Sequence, residues 1–146
     1  MRRRRIDTVA IRRDALDKSE IHKLQAFLQR TLGASTLRVA LNPRDTEKAD
    51  VHLGERKLGV IEVDDEDGDR SFGFSMKAPV DRATLQGYLQ KLFDNPKLKI
   101  MGRMKKADSV ELNNGEDFVG IVSADDAKAS SYTLQIAILD FDLEDV

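Results

Sequence analysis

No cysteine occurs in the 146 residues of this chain, which removes disulfides, thiolate metal sites and cysteine nucleophiles together. Two histidines, His22 and His52, are too few for a histidine metal cage. Tryptophan is absent, and six Phe with two Tyr leave little from which to build a base-stacking platform. No apolar run approaches the ~20 residues that cross a bilayer, so no membrane partner is expected. The N-terminus starts with arginines but has no apolar stretch or small-residue cleavage site behind them, so it does not read as a secretory signal. Asp7, Asp14 and the scarcity of hydroxylated residues before Ser19 argue against an organellar presequence. The expected location is the cytoplasm. Phosphate-loop, dinucleotide and nucleophile-elbow patterns are all missing. No cofactor and no catalytic residue is expected.

What is present is charge. Charged residues make up 34% of the chain and hydrophobic ones 40%, the balance of a soluble globular protein. The net charge of −2 conceals a division. Residues 1–13 hold Arg2, Arg3, Arg4, Arg5, Arg12 and Arg13 against Asp7, a local +5 that leaves −7 for the remainder. A basic arm precedes an acidic body.

That body repeats itself. Leu24-Gln25-Ala26-Phe27-Leu28-Gln29-Arg30 returns 61 residues later as Leu85-Gln86-Gly87-Tyr88-Leu89-Gln90-Lys91. Leu37-Arg38-Val39 aligns with Leu98-Lys99-Ile100, Val51-His52-Leu53 with Val110-Glu111-Leu112, and Leu58-Gly59-Val60 with Val119-Gly120-Ile121. Asp64-Asp65 aligns with Asp125-Asp126, and Phe72-Gly73-Phe74 with Tyr132-Thr133-Leu134.

Each copy reads as one helix and four strands. Asp17-Lys18-Ser19-Glu20 fits a capping box, Ile21, Leu24, Phe27, Leu28 and Leu32 share a helical face, and Gly33 ends the helix. In the second copy Asp81 is the expected cap, Leu85, Tyr88, Leu89 and Leu92 the stripe, and Asn95-Pro96 the stop. Alternating apolar residues at Leu37, Val39 and Leu41, and again at Val51 and Leu53, predict strands, with a turn at Gly54. Asn113-Asn114-Gly115 signals the matching hairpin turn. The run Ile136-Ala137-Ile138-Leu139 is apolar on both faces, which predicts a strand covered on two sides or placed at an interface. Gly59 and Gly120 stand inside strands at equivalent places, where glycine marks a bulge or a close backbone approach; the structural reading is a helix packed over that point that leaves no room for a side chain, and a ligand contact is the alternative. The fold class expected is α+β: a tandem duplication of an α-β-β-β-β unit, helices packed on antiparallel sheet, with a pseudo-twofold relation. The divisions expected are a basic arm over 1–18, a first repeat over 19–79 and a second over 80–146, the repeats forming one body.

At these residues the chain resembles a known family. Ser109-Val110-Glu111-Leu112, then Gly115-Glu116-Asp117-Phe118-Val119-Gly120-Ile121, and the ending Tyr132-Thr133-Leu134-Gln135-Ile136-Ala137-Ile138-Leu139-Asp140 are similar to very short bacterial proteins catalogued as domain of unknown function 3126. Asp64-Asp65-Glu66-Asp67-Gly68-Asp69 with Ser71-Phe72, and the helix Lys23-Leu24-Gln25-Ala26-Phe27-Leu28, fit the same family. The resemblance implies a fold and a bacterial source, and no activity. Members are usually a single unit, so this chain departs by being a fused double.

Among candidate sites the acidic run is the sharpest, with Asp64, Asp65 and Asp67 as the weak metal candidates. Setting Gly68 as the sixth position of an EF-hand loop puts Val63 first and Phe74 twelfth, so that template fails. A solvated hairpin tip that discourages edge aggregation is the better reading. His22 and His52 face Ala83 and Glu111 in the other copy and read as ordinary histidines. Arg2–Arg5, with Lys105 and Lys106 among the basic residues after Pro96, are weak polyanion contacts, set against an acidic body. The function expected is a non-catalytic interaction module built as an intramolecular pseudo-dimer, monomeric or homodimeric, recruiting a protein partner through an exposed edge or the apolar C-terminal strand. A nucleic-acid or other polyanion-binding accessory role is the alternative, and an enzyme with a site between the repeats is third.

Overall fold

The structure is a computed structural model that describes residues 15–65, 70–104 and 106–144. Helix α1 (Lys18–Leu32) leads into strands β1 (Leu37–Leu41), β2 (Lys48–Leu53), β3 (Arg56–Asp64) and β4 (Ser71–Ala78). Helix α2 (Arg82–Phe93) leads into β5 (Leu98–Arg103), β6 (Lys106–Asn114), β7 (Asp117–Ala124) and β8 (Tyr132–Leu139), followed by a 3-10 turn over Asp140–Leu143. All eight strands form one antiparallel sheet in the order β1-β2-β3-β4-β8-β7-β6-β5. Each half is a meander, and the last strands of the two halves meet at the centre.

The expected caps form. Asp17 accepts from the Glu20 amide at 2.8 Å while the Glu20 carboxylate accepts from the Asp17 amide at 3.2 Å, and Gly33 takes the left-handed conformation that closes α1. Helix α2 starts at Asp81 as predicted but stops one residue before the Asn-Pro pair, because Asp94 itself adopts φ 52°. The body also begins earlier than residue 19: Leu16 is buried and Asp17 is the cap of α1.

Among the described residues, only one face of the sheet is covered. Along β4, Phe72, Phe74, Met76 and Ala78 are buried, and along β8 so are Tyr132, Leu134, Ile136 and Ile138. Their partners on the inner strands, Ile61 and Val122, and on β2 and β6, Ala49, Val51, Val110 and Leu112, continue the same face. Leu24, Leu28 and Leu32 of α1 and Leu85, Leu89 and Phe93 of α2 close over it in a single core. The expectation that β8 is apolar on both faces because both are covered is corrected here. Ala137 and Leu139 point to the open face, and Leu139 is 44% exposed. β8 does lie at an interface, that between the two halves.

Two further expectations change. The alignment of Val51-His52-Leu53 with Val110-Glu111-Leu112 is two residues out of step. Val51 pairs with Gly59 and Leu112 pairs with Gly120, so Val51 corresponds to Leu112 and the 61-residue spacing continues unbroken. A slip of two preserves strand alternation, which is why the apolar pattern could not detect it. The second hairpin turn also falls one residue later than the Asn114-Gly115 pair that signals it. Asn114 ends β6 paired with Asp117, and Gly115, at φ 65°, is the first turn residue just as Gly54 is at φ 66°.

The halves also reach across each other over the helices. Asn114 donates to the Thr31 carbonyl at 3.1 Å, and Asn95, itself buried, donates to the Leu32 carbonyl at 2.9 Å, so second-half asparagines satisfy carbonyls left open at the end of α1. In the other direction the Arg56 guanidinium donates to the Tyr88 hydroxyl of α2 at 3.0 Å.

Candidate interaction surface

The two structural glycines lie where β3 and β7 crowd their neighbours. A Cβ on Gly59 would stand 2.1 Å from the Ser75 carbonyl oxygen, and one on Gly120 would stand 2.4 Å from that of Gln135. Beside each glycine's ladder partner is a register shift, between Val51 and His52 and between Leu112 and Asn113. The nearest atoms thus belong to the adjacent strand and not to an overlying helix. The close-backbone reading holds, and the helix reading does not.

The weak metal candidates do not converge. The Asp65 carboxylate lies 3.7 Å from the Arg70 guanidinium, which also binds both oxygens of Glu20, at 2.6 and 2.8 Å, and donates to the Ala15 carbonyl at 2.9 Å. This arginine ties the β3–β4 hairpin to the cap of α1, and its pKa is raised, chiefly by the Glu20 hydrogen bonds. Asp64 ends β3 opposite Ser71. Asp67 lies outside the described residues, among which no group of three or more His, Asp or Glu is placed to hold a metal ion. Arg2–Arg5 and Lys105 also fall outside them, and Lys106 is the first residue of β6. The histidines sit on different elements: His22 on α1, His52 on β2 facing Arg38 across the pair.

One acid stands out at the seam. Asp125 accepts from the Ser131 and Thr133 hydroxyls, each at 2.6 Å, and pairs with Lys77 of β4 at 3.1 Å. Those hydroxyl bonds, with Lys77 adding to them, lower its pKa to about 2. Because the folded state prefers the ionised form, the stabilisation is complete above the ordinary carboxylate range and is lost as pH falls from about 4 towards 2. Urea unfolding across that window is expected to show a drop in stability that the Asp125→Asn variant lacks.

The open face carries the most informative contrast. In the first half it is covered by paired charges: Lys48 with Glu62 at 3.4 Å and Lys57 with Asp50 at 3.3 Å. Asp50 is held below its usual pKa against the cost of burial by the hydrogen bonds from Asn42 and Lys57. Sixty-one residues on, Lys48 and Glu62 are replaced by Ser109 and Ser123, Lys57 by Phe118 and Ala40 by Met101. Phe118 is 59% exposed and Met101 53%. Across the seam the pattern continues, with Gly73 beside Ala137 and Ser75 beside Gln135. Gly73, Ser75 and Ala137, all small, line a trough of about 580 Å³ between Glu62 and Ala137. At Ile136 and Ala137 the trough adjoins a notch bordered by Phe118, Arg30 and Asp142. A signal for this existed in the sequence: held at a spacing of 61, the outward positions differ in charge between the copies.

A one-faced antiparallel sheet made of two helix-led meanders defines a class of small α+β proteins. The family model described as "Protein of unknown function (DUF3126)" matches residues 20–80 and again 81–142. The chain belongs to that family and carries it twice in tandem. No curated protein and no solved structure matches the chain. Among the described residues no helix is long and apolar enough to cross a membrane.

Proposed function

We propose that this chain is a non-catalytic protein–protein interaction module, a pseudo-dimer fused into one polypeptide, whose second-half open sheet face receives the partner. The observation that carries this reading is the divergence of two otherwise matching surfaces. One half keeps its outward positions covered by ion pairs, while the other exposes Phe118 and Met101 there, has Ser123 in place of Glu62, and buries Ser109 in a hydrogen bond from Arg103. Loss of charge with gain of aromatic and methionine side chains is how the centres of interfaces differ from ordinary surface. The pseudo-twofold relation supports the fused-dimer part. Ser75 and Gln135, 60 residues apart, pair directly with each other at the middle of the β4–β8 ladder, where a twofold axis would place equivalent residues.

The partner meets the face of the sheet and not its rim. β8 is an inner strand, so the apolar C-terminal run offers no edge for strand addition. The polyanion reading ranks second because its arginines precede a body of charge −7, which repels phosphate within a screening length of about 8 Å.

The test restores the first-half residue at the second-half position. Phe118→Lys, diagonal to Glu111 two residues along β6 from its partner Asn113 as Lys57 is diagonal to Asp50 two residues from its partner His52, is expected to leave melting unchanged. It should cut retention of the partners captured by the parent at least tenfold, roughly the effect of losing one interface anchor. Equal capture by parent and variant overturns the assignment of this face.

A further inference from the structure

The repeated glutamines, which the proposed function does not use, meet the backbone at both rims of the sheet. Strands β1 and β5 are the outermost, and an outermost strand presents unpaired amides and carbonyls that template the addition of another strand. At β1 the Gln25 side-chain oxygen accepts from the Val39 amide at 2.9 Å, and the Gln29 side-chain amide donates to the Leu37 carbonyl at 2.9 Å and the Ser35 carbonyl at 3.2 Å. At β5 the Gln86 oxygen accepts from the Ile100 amide at 3.0 Å, and Gln90 donates to the Leu98 carbonyl at 2.8 Å and the Pro96 carbonyl at 3.2 Å. Every donor and acceptor in the second set lies 61 residues after its counterpart in the first.

The geometry explains the spacing. Residues four apart on a helix stand one above the other on the same face, and residues two apart on a strand point their backbone groups to the same side. Gln25 and Gln29 can therefore reach Val39 and Leu37 together only if α1 runs alongside β1 at its free rim. The Leu37 and Leu98 amides are occupied as well, by the Ala34 and Asn95 carbonyls at 3.2 and 3.3 Å. The free-side groups that an incoming strand needs at the start of each rim are taken before it arrives.

We propose that Gln25 with Gln29, and Gln86 with Gln90, are autoinhibitory contacts that close both rims of the sheet to strand addition. Among the described residues, the edges left to pair in each half are those of β4 and β8, and they pair with each other. The eight-stranded sheet ends where it does because the glutamines end it.

The full chain tests this with two double variants, Gln25→Ala/Gln29→Ala and Gln86→Ala/Gln90→Ala, and Lys23→Ala as a helix-surface control. Two readouts are taken: amide hydrogen exchange at Val39 and Ile100, and mass by light scattering over a hundredfold range of concentration. The expected result is exchange about tenfold faster at the rim whose glutamines are removed, with a concentration-dependent rise in mass above that of parent and control. Unchanged exchange overturns the contact. Faster exchange at constant mass overturns the inhibitory role, since a merely structural bond loosens its amide without creating a docking edge. Should a double variant fail to fold, the single Gln29→Ala and Gln90→Ala variants, read in the same two ways, decide the question.

Discussion

Gly59→Val lowers the melting temperature by about 10 °C, and Gly120→Val does the same. The reason is backbone against backbone. The added Cβ would lie 2.1 Å from the Ser75 carbonyl oxygen in one case and 2.4 Å from the Gln135 carbonyl oxygen in the other, and neither oxygen can rotate away as a side chain could. Both oxygens belong to the central strands, so relief requires β3 to part from β4, or β7 from β8. Overpacking of this kind costs roughly 3 kcal/mol, the upper part of its usual range, and each kcal/mol is worth about 3–4 °C in a chain of this size. Gly73→Val is the internal control. Gly73 faces open solvent with nothing within 4 Å of a Cβ, and valine suits a strand better than glycine, so its melting temperature is expected to hold or rise. Differential scanning calorimetry on the three variants checks the order. Equal, small shifts in all three contradict the crowding at the bulges.

How much of this could be read beforehand differs from residue to residue. The capping box at Asp17 and Glu20 and the left-handed Gly33 were legible because they are local: each motif contains its own partner within three or four residues. The glycines were visible as anomalies, yet the neighbour that requires them was not, because Ser75 and Gln135 reach Gly59 and Gly120 only through sheet pairing. Asn-Gly, a strong turn signal by itself, predicts the second-half hairpin one residue early, because the tertiary task of Asn114, holding the end of α1 from 83 residues away, has no local signature. The same is true of Arg70 and Glu20, 50 residues apart. The candidate surface was legible in principle. Lys57 and Phe118 stand at matching positions, but the two-residue slip in the alignment around Val51 hid the comparison among neighbouring strands.

Residues 80–146 expressed alone are expected to self-associate into a dimer twice the mass of the fragment. In the full chain β8 pairs with β4 over all eight residues, from Ala78 opposite Tyr132 to Ser71 opposite Leu139. Cutting the chain before α2 leaves that edge of β8 open while the helix-bound rim of β5 stays closed. The fragment also loses the cover that α1 gives its side of the core, where Leu143 and Val119 are buried. One arrangement relieves both deficits: β8 of one copy pairs with β8 of another about the position of Gln135, which rebuilds the central ladder and sets two helices over one sheet. Linking two such units in one polypeptide makes that pairing intramolecular and independent of concentration, whereas in the fragment it follows mass action. Dilution should therefore dissociate or unfold the fragment and leave the full chain's melting temperature unmoved. Sedimentation equilibrium of both species over a hundredfold range of concentration separates the cases. A fragment that remains a folded monomer throughout means that a single helix and four strands suffice, and that the fused pair gains nothing from sharing a sheet.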